Sequence, residues 1–265
     1  MKGRVLIVAG SDSGGGAGIQ ADIKAVTMLD AFAATAITAL TAQNTEGVHG
    51  VLPIDPAFIR RQMEVVLDDI GADAVKTGML HDAAVIETVA AVLAERAGET
   101  PLVLDPVMVA KGGAPLIQLE AIDALKVRLV PRAAVLTPNL PEAEILCGRA
   151  IADVAAMRAA AQALRALGCR AVLLKGGHLD GDTVHDILAT AAGLTEWTSP
   201  RIASRHTHGT GCTLASAIAA GLAQGMDVVA AVERARAYVQ KAIASAPGIG
   251  RGHGPLDHAH PLRGG

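Results

Sequence analysis

Short runs of β-branched and Leu residues alternate with longer stretches of helical periodicity along almost the whole chain, and this alternation constrains the fold most. Residues 5–10 read as a buried first strand, 18–31 as the helix after it, and 34–44 as a strand rich in Thr and Ile. Across 56–70, Phe58, Ile59, Met63, Val66, Leu67 and Ile70 recur at helical spacing. Further strands are expected at 74–79, 102–108, 134–139 and 171–177, with helices at 82–96, 119–130 and 153–168. Asp153 suits the N-cap of the last of these and Gly168 its C′ position. Residues 183–190 and 194–202 read as a short antiparallel addition, followed by helices at 211–224 and 227–246, the second capped by Asp227. Strands separated by helices imply βαβ units and a mostly parallel sheet covered on both faces, an α/β fold. No Pro/Ser linker or composition break divides the sequence, so one domain over 1–265 is expected, with about 250–265 a flexible tail.

Composition narrows the function classes. Hydrophobic residues make up 51% of the 265, but aromatics only 2%, so the core is aliphatic and no stacking surface for nucleic acid is available. A formal charge of −3 gives no basic footprint for DNA or RNA. Cys147, Cys169 and Cys212 form no C-x-x-C pair, which fits neither a disulfide framework nor a zinc site and points to a reducing cytoplasm. The apolar run 5–9 is too short for a signal-peptide core. No uninterrupted apolar stretch reaches the roughly 18 residues of a membrane span.

Ligands of an open α/β sheet bind outside the carboxyl ends of its strands, and the unusual residues collect there. Gly-rich residues 10–18 follow the first strand, Gln43 and Asn44 end the second, and Thr77, Gly78 and Met79 end the third. Asp105 lies near the end of the fourth, Asn139 and Glu142 follow the fifth, and Lys175 ends the sixth. The segment 208–213 (HGTGCT) opens a long apolar helix. Its glycines let successive N–H groups face one anion, and the helix N-terminus adds partial positive charge. That is the geometry for holding a phosphoryl group in transfer. Cys212 there is expected to have a lowered thiol pKa, or else to be a small buried residue. Lys175 suits the neutralisation of ATP phosphates, or a solvated strand end. Asn139 and Glu142, with Asp105, suit a hydrated magnesium ion, or an ordinary helix start and turn. Gln43 offers a donor beside an acceptor, the complement of an aminopyrimidine edge.

Two familiar signatures fail. Residues 16–21 match G-x-G-x-x-A, a dinucleotide fingerprint, but the second strand ends in Gln43 and Asn44 where a ribose-binding acid belongs. Five residues also separate Gly10 from Gly16. Lys76-Thr77 follows Val75 rather than a glycine, so there is no Walker A loop. His206, His208, His253, His258 and His260 have no metal-ligand spacing and read as loop residues.

Taken together, residues 9–22 (AGSDSGGGAGIQAD), 39–45 (ALTAQNT), 76–80 (KTGML), 104–108 (LDPVM), 137–144 (TPNLPEAE), 174–178 (LKGGH) and 207–213 (THGTGCT) resemble bacterial hydroxymethylpyrimidine/phosphomethylpyrimidine kinases, in the same order over nearly the whole chain. The resemblance implies a ribokinase-like fold, a homodimer, ATP and Mg2+ as cofactors, and two successive phosphorylations in thiamine biosynthesis. The hydroxymethyl group of 4-amino-5-hydroxymethyl-2-methylpyrimidine would become first the monophosphate and then the pyrophosphate. By the same resemblance Gln43 holds the pyrimidine, with Gly10, Asp22, Met79 and Val107 lining its pocket. Gly209, Gly211 and Cys212 form the anion hole, Cys212 standing where many superfamily relatives carry a catalytic Asp. Lys175, Thr210 and Gly211 meet the nucleotide phosphates. Either backbone N–H groups near residues 15–18 or Lys and Arg side chains elsewhere are expected to receive the phosphate of the monophosphate, the glycines otherwise serving tight helix–strand packing. The nearest alternative is a vitamin B6 kinase. A nucleotide-binding regulator or dinucleotide-dependent oxidoreductase is the alternative of another class.

Overall fold

In the computed structural model, which describes residues 1–109 and 116–263, the chain forms a nine-stranded sheet in the order β3-β2-β1-β4-β5-β6-β7-β8-β9. The strands are β1 (Arg4–Asp12), β2 (Phe32–Asn44), β3 (Gly47–Pro53), β4 (Ala74–Thr77), β5 (Leu102–Leu104), β6 (Ala133–Leu136), β7 (Val172–Lys175), β8 (Thr183–Thr190) and β9 (Gly193–Pro200). From β2 to β7 neighbouring strands are parallel. Antiparallel β3 extends one edge, and β8 and β9 the other. Strand order reverses at β1, with β2 on one side and β4 on the other, so the crevice between the ends of β1 and β4 is the place for a ligand.

Val5, Leu6, Ile7 and Val8 of β1 are all fully buried, the continuous apolar run of a strand covered on both faces. Alternate side chains point to opposite faces. Leu6 and Val8 therefore join Met63, Ile86 and Leu93 of α2 (Pro56–Asp69) and α3 (Ala83–Arg96). Val5 and Ile7 join Ile19 of α1 (Gly18–Met28), Ile218 of α7 (Thr210–Ala223) and Val232 of α8 (Val228–Ala244). The aliphatic composition is used for close approach: a Cβ on Gly221 of α7 would lie 2.8 Å from the Ala231 Cβ of α8.

Four local features depart from the sequence expectation, two of them for evident physical reasons, while the Asp153 cap agrees with it. Residues 47–53 form β3, which lacks a period-two signal because almost all of it is exposed. The helix expected over 119–130 is α4 (Leu119–Ala124), then a π turn at Leu125–Leu129 and a 3-10 turn at Val130–Arg132, with Pro131 unable to continue the α-helical ladder. Strands expected to reach Met79, Met108, Asn139 and Gly177 leave the sheet two to four residues earlier, freeing those segments as loops at the rim. Asp153 caps α6 (Val154–Arg165) by accepting from the Ala156 N–H at 2.7 Å. Gly168, with φ +111°, stands two residues beyond the C-cap Ala166 rather than next to it.

The C-terminal segment expected as a flexible tail is irregular but docked. Leu256, Asp257 and His258 are buried, Tyr238 donates to the His258 carbonyl, and Pro255 bridges to His208. No helix among the described residues is long and apolar enough to cross a membrane.

Candidate active site

The carboxyl ends of β1, β4, β5, β6 and β7 open into a cleft of about 970 Å³, a usual size for a small-molecule site. Of the residues expected to catalyse or to hold pyrimidine, nucleotide or magnesium, all but Asp22 line it, whereas Asn44, Thr77, Gly15 and Gly16 do not.

The anion loop is built by two glycines. Gly209, the N-cap of α7, has φ +80°, and a Cβ there would meet the Gly16 carbonyl oxygen at 1.9 Å. The loop therefore docks directly on the Gly-rich turn after β1. A Cβ on Gly211 would lie 3.2 Å from Lys175 Nζ and 3.8 Å from Asp105 Oδ2, so glycine brings the backbone N–H groups beside the cation. Lys175 Nζ donates to Asp105 Oδ1 at 3.2 Å, and Thr137 Oγ1 donates to the same oxygen at 3.2 Å. Burial acts to lower the Lys175 pKa, but the Asp105 and Glu142 carboxylates override it and hold the ammonium charged.

Asn139 and Glu142 meet as a capping box at the start of α5 (Leu140–Cys147). Asn139 Oδ1 accepts from the Glu142 N–H and Glu142 Oε2 from the Asn139 N–H, both at 2.9 Å. The helix-start reading thus holds for both, and each accepting oxygen keeps a second lone pair. Burial pushes the Glu142 carboxyl up to about 7, opposed by Lys175 and reinforced by Asp105. Because its folded pKa exceeds the usual 4.5, the folded state binds more protons than the unfolded state between these values. Stability from this group is therefore lost as pH rises through that window. The expected result is a melting temperature of the ligand-free protein that falls between about pH 5 and 8, with a flatter profile in Glu142→Gln. An unchanged profile in that variant contradicts the assignment.

The expectation of a lowered Cys212 pKa is not met. Burial pushes the thiol up to about 12, outweighing the pull of Lys76, and the Asp22 and Asp105 carboxylates add to the rise. The N-terminus of α7 does not compensate for this desolvation. Asp22 is also displaced from its expected role. It is fully buried behind the pocket, accepting from Lys76 Nζ at 2.8 Å on both oxygens and from Ser216 Oγ at 2.7 Å.

Sequence reasoning missed three residues. Lys76 is fully buried in β4 beneath the anion loop, and burial, which alone would lower its pKa, is overcome by Asp22. A lysine inside an otherwise buried strand was the available signal, since such a charge needs a partner. Asp12 and His208 are the others. Asp12 Oδ1 accepts from the Gly14 N–H at 2.8 Å, and Oδ2 from Gly16 and Ala17 at 3.1 and 2.8 Å. The Gly15 N–H donates to the Asp12 carbonyl at 2.9 Å. These N–H groups are therefore spent within the turn, so at 15–17 none is left to donate to the phosphate of the monophosphate or to a dinucleotide pyrophosphate. His208, read as a loop residue, is buried with Nε2 2.9 Å from Asp12 Oδ2 and 3.3 Å from Gln43 Nε2.

A glycine-built anion loop beside a half-buried lysine paired with a buried aspartate, at the switch point of a doubly covered sheet, defines a ribokinase-like small-molecule kinase. The phosphomethylpyrimidine kinase family model matches residues 12–257, and the chain belongs to that family. It is 55% identical over 258 residues to the thiamine biosynthesis bifunctional protein ThiED of Geobacter sulfurreducens, covering 97% of this chain and 52% of that protein, so the chain spans about half of that relative's length. It is 47% identical to the hydroxymethylpyrimidine/phosphomethylpyrimidine kinase of Bacillus subtilis, covering 96% and 94% of the two chains. Among solved structures, an ADP complex of Bacillus subtilis pyridoxal kinase superposes with a TM-score of 0.92 at 37% identity, covering all of both chains.

Proposed function

We propose that this chain transfers the γ-phosphoryl group of ATP to the hydroxymethyl group of 4-amino-5-hydroxymethyl-2-methylpyrimidine, and then a second phosphoryl group to the resulting monophosphate, in thiamine biosynthesis. The observation that carries this reading is the placement of the 208–212 loop and Lys175 in one cleft with Gln43, Gly10, Met79 and Val107. The names of the relatives and the ADP bound by the Bacillus pyridoxal kinase support it.

The pyrimidine sits against Gln43, and the ATP phosphates against Lys175, Thr210 and Gly211. Asp105 and Glu142 are the carboxylates suited to Mg2+, which asks for only one or two such ligands among its waters and supplies charge neutralisation on phosphate oxygens. Their fit is physical: Glu142 is held near neutrality by burial, and a divalent cation relieves that cost. Backbone N–H groups of Gly209, Gly211 and Cys212 and the Lys175 ammonium stabilise the charge that spreads over the phosphoryl oxygens, while the Thr210 N–H is held by the Thr207 carbonyl. Little base strength is needed in so dissociative a transfer, and a thiol pushed up to about 12 is neutral at pH 7. Cys212 therefore acts by its backbone N–H and by a neutral S–H. Cys212→Ser is expected to keep turnover within about tenfold, and Cys212→Ala to lose about 10²-fold or more while still binding pyrimidine. Equal loss in both variants contradicts a neutral role. A homodimer and a cytoplasmic location belong to the same proposal.

Pyridoxal as acceptor is the second reading, favoured by the superposition on pyridoxal kinase. The two-step reaction is tested by following 31P resonances with ATP and the pyrimidine. A monoester signal that gives way to a pyrophosphate ester is the expected course. A monoester that accumulates without conversion removes the second step.

A further inference from the structure

We propose that His208, held by Asp12, is a positioning residue that fixes which end of the Gln43 carboxamide donates, and with Thr41 makes the pocket select a 4-amino over a 4-oxo pyrimidine. This rests on the aminopyrimidine reading above. Asp12 is an acceptor: burial would raise its pKa, but His208 and the backbone N–H groups pull it below the usual range, so it is ionised at neutral pH. His208 Nε2 lies 2.9 Å from Asp12 Oδ2, so this nitrogen carries the proton. It then has no lone pair to offer the Gln43 Nε2 that stands 3.3 Å away, and two donors would face each other.

At the other flank, Thr41 Oγ1 is 2.9 Å from the Ser11 carbonyl, a pure acceptor, and 3.1 Å from Gln43 Oε1. The Thr41 hydroxyl has one proton, and the carbonyl takes it. Two acceptors would then face each other across 3.1 Å. A half-turn of the carboxamide resolves both conflicts together. Its oxygen then shares the single His208 Nε2–H with Asp12 Oδ2 as a bifurcated bond, and its nitrogen donates to Thr41 Oγ1. Each amide atom retains one further bonding capacity for the ligand, in an order set by its two neighbours.

A 4-aminopyrimidine presents a ring-nitrogen acceptor beside an amino donor. The 4-oxo counterpart presents the reverse, a ring N–H beside a carbonyl. A fixed carboxamide satisfies one and leaves like groups facing the other, and buried polar groups left unpaired discriminate strongly. A carboxamide free to turn satisfies either.

The test compares kcat/KM for 4-amino-5-hydroxymethyl-2-methylpyrimidine and for 5-hydroxymethyl-2-methylpyrimidin-4-one in the unmodified protein, His208→Phe and Thr41→Val. The unmodified protein is expected to favour the amine by at least about 10²-fold. Each substitution is expected to cut that ratio tenfold or more, by raising KM for the amine and lowering it for the oxo compound. The double variant should lose no more than the larger single loss, since both residues act on one amide. Loss of packing alone would lower both substrates in parallel and leave the ratio unchanged, which overturns the inference, as does an unmodified protein that does not discriminate. If His208→Phe does not fold, Thr41→Val carries the test. Failure of the unmodified protein to turn over the amine at all overturns the functional reading, and this inference with it.

Discussion

Lys175→Met is expected to lower kcat by about 10³-fold while leaving pyrimidine binding within a few-fold of normal. The two halves of this expectation come from separate parts of the cleft. Lys175 Nζ stands beside the backbone of Gly211 and 3.2 Å from Asp105, where the phosphoryl group is proposed to pass. The Gln43 carboxamide stands beside Thr41 and His208 instead. Removing the cation takes away charge stabilisation that strengthens in the transition state. It also leaves Asp105 and Glu142 together without their neutralising partner. ADP release under saturating ATP gives kcat, and calorimetric titration of the pyrimidine gives its affinity. A loss below about tenfold in kcat would remove Lys175 from the catalytic group.

Lys76→Met is expected to destabilise the fold by about 3–5 kcal/mol, because Asp22 would remain buried with only Ser216 as partner. Both side chains of the pair are fully inaccessible, so water cannot take over. Replacing both, as in Asp22→Leu with Lys76→Met, should recover most of that loss, since a buried ion pair is often no more stable than apolar residues of similar volume. The double variant then separates stability from chemistry. Lys76 interacts electrostatically with Cys212 and Asp105, so this variant is expected to fold with normal unfolding cooperativity in urea and still show reduced kcat. A single variant that loses less than about 1 kcal/mol contradicts the buried pair, and full activity in the double variant confines Lys76 to a structural role.

The parallel sheet was legible because its strands are buried on both faces and read as unbroken apolar runs, as in residues 5–8. β3 was not, because an exposed edge strand carries no alternation. The same contrast divides the site. Lys175 and Gln43 could be found because they interrupt the pattern at strand ends, where a ligand is expected, and glycines 209 and 211 because they open a long apolar helix. Asp12, Lys76 and His208 act through partners 196, 54 and 196 residues away along the chain, and periodicity holds no trace of such pairings. Asp22 was misplaced for the converse reason: its motif position is next to the pocket, but its carboxylate turns inward to Lys76. The direction of the Cys212 shift depended on weighing a helix terminus against burial, and burial is set only by packed neighbours.

ADP release by the purified protein with ATP and magnesium, comparing hydroxymethylpyrimidine, its monophosphate and pyridoxal as acceptors, tests the central claim most directly. Turnover with both pyrimidines is the predicted result. Turnover with pyridoxal alone would keep the anion loop and overturn the role given to Gln43, and no turnover with any acceptor would contradict the account.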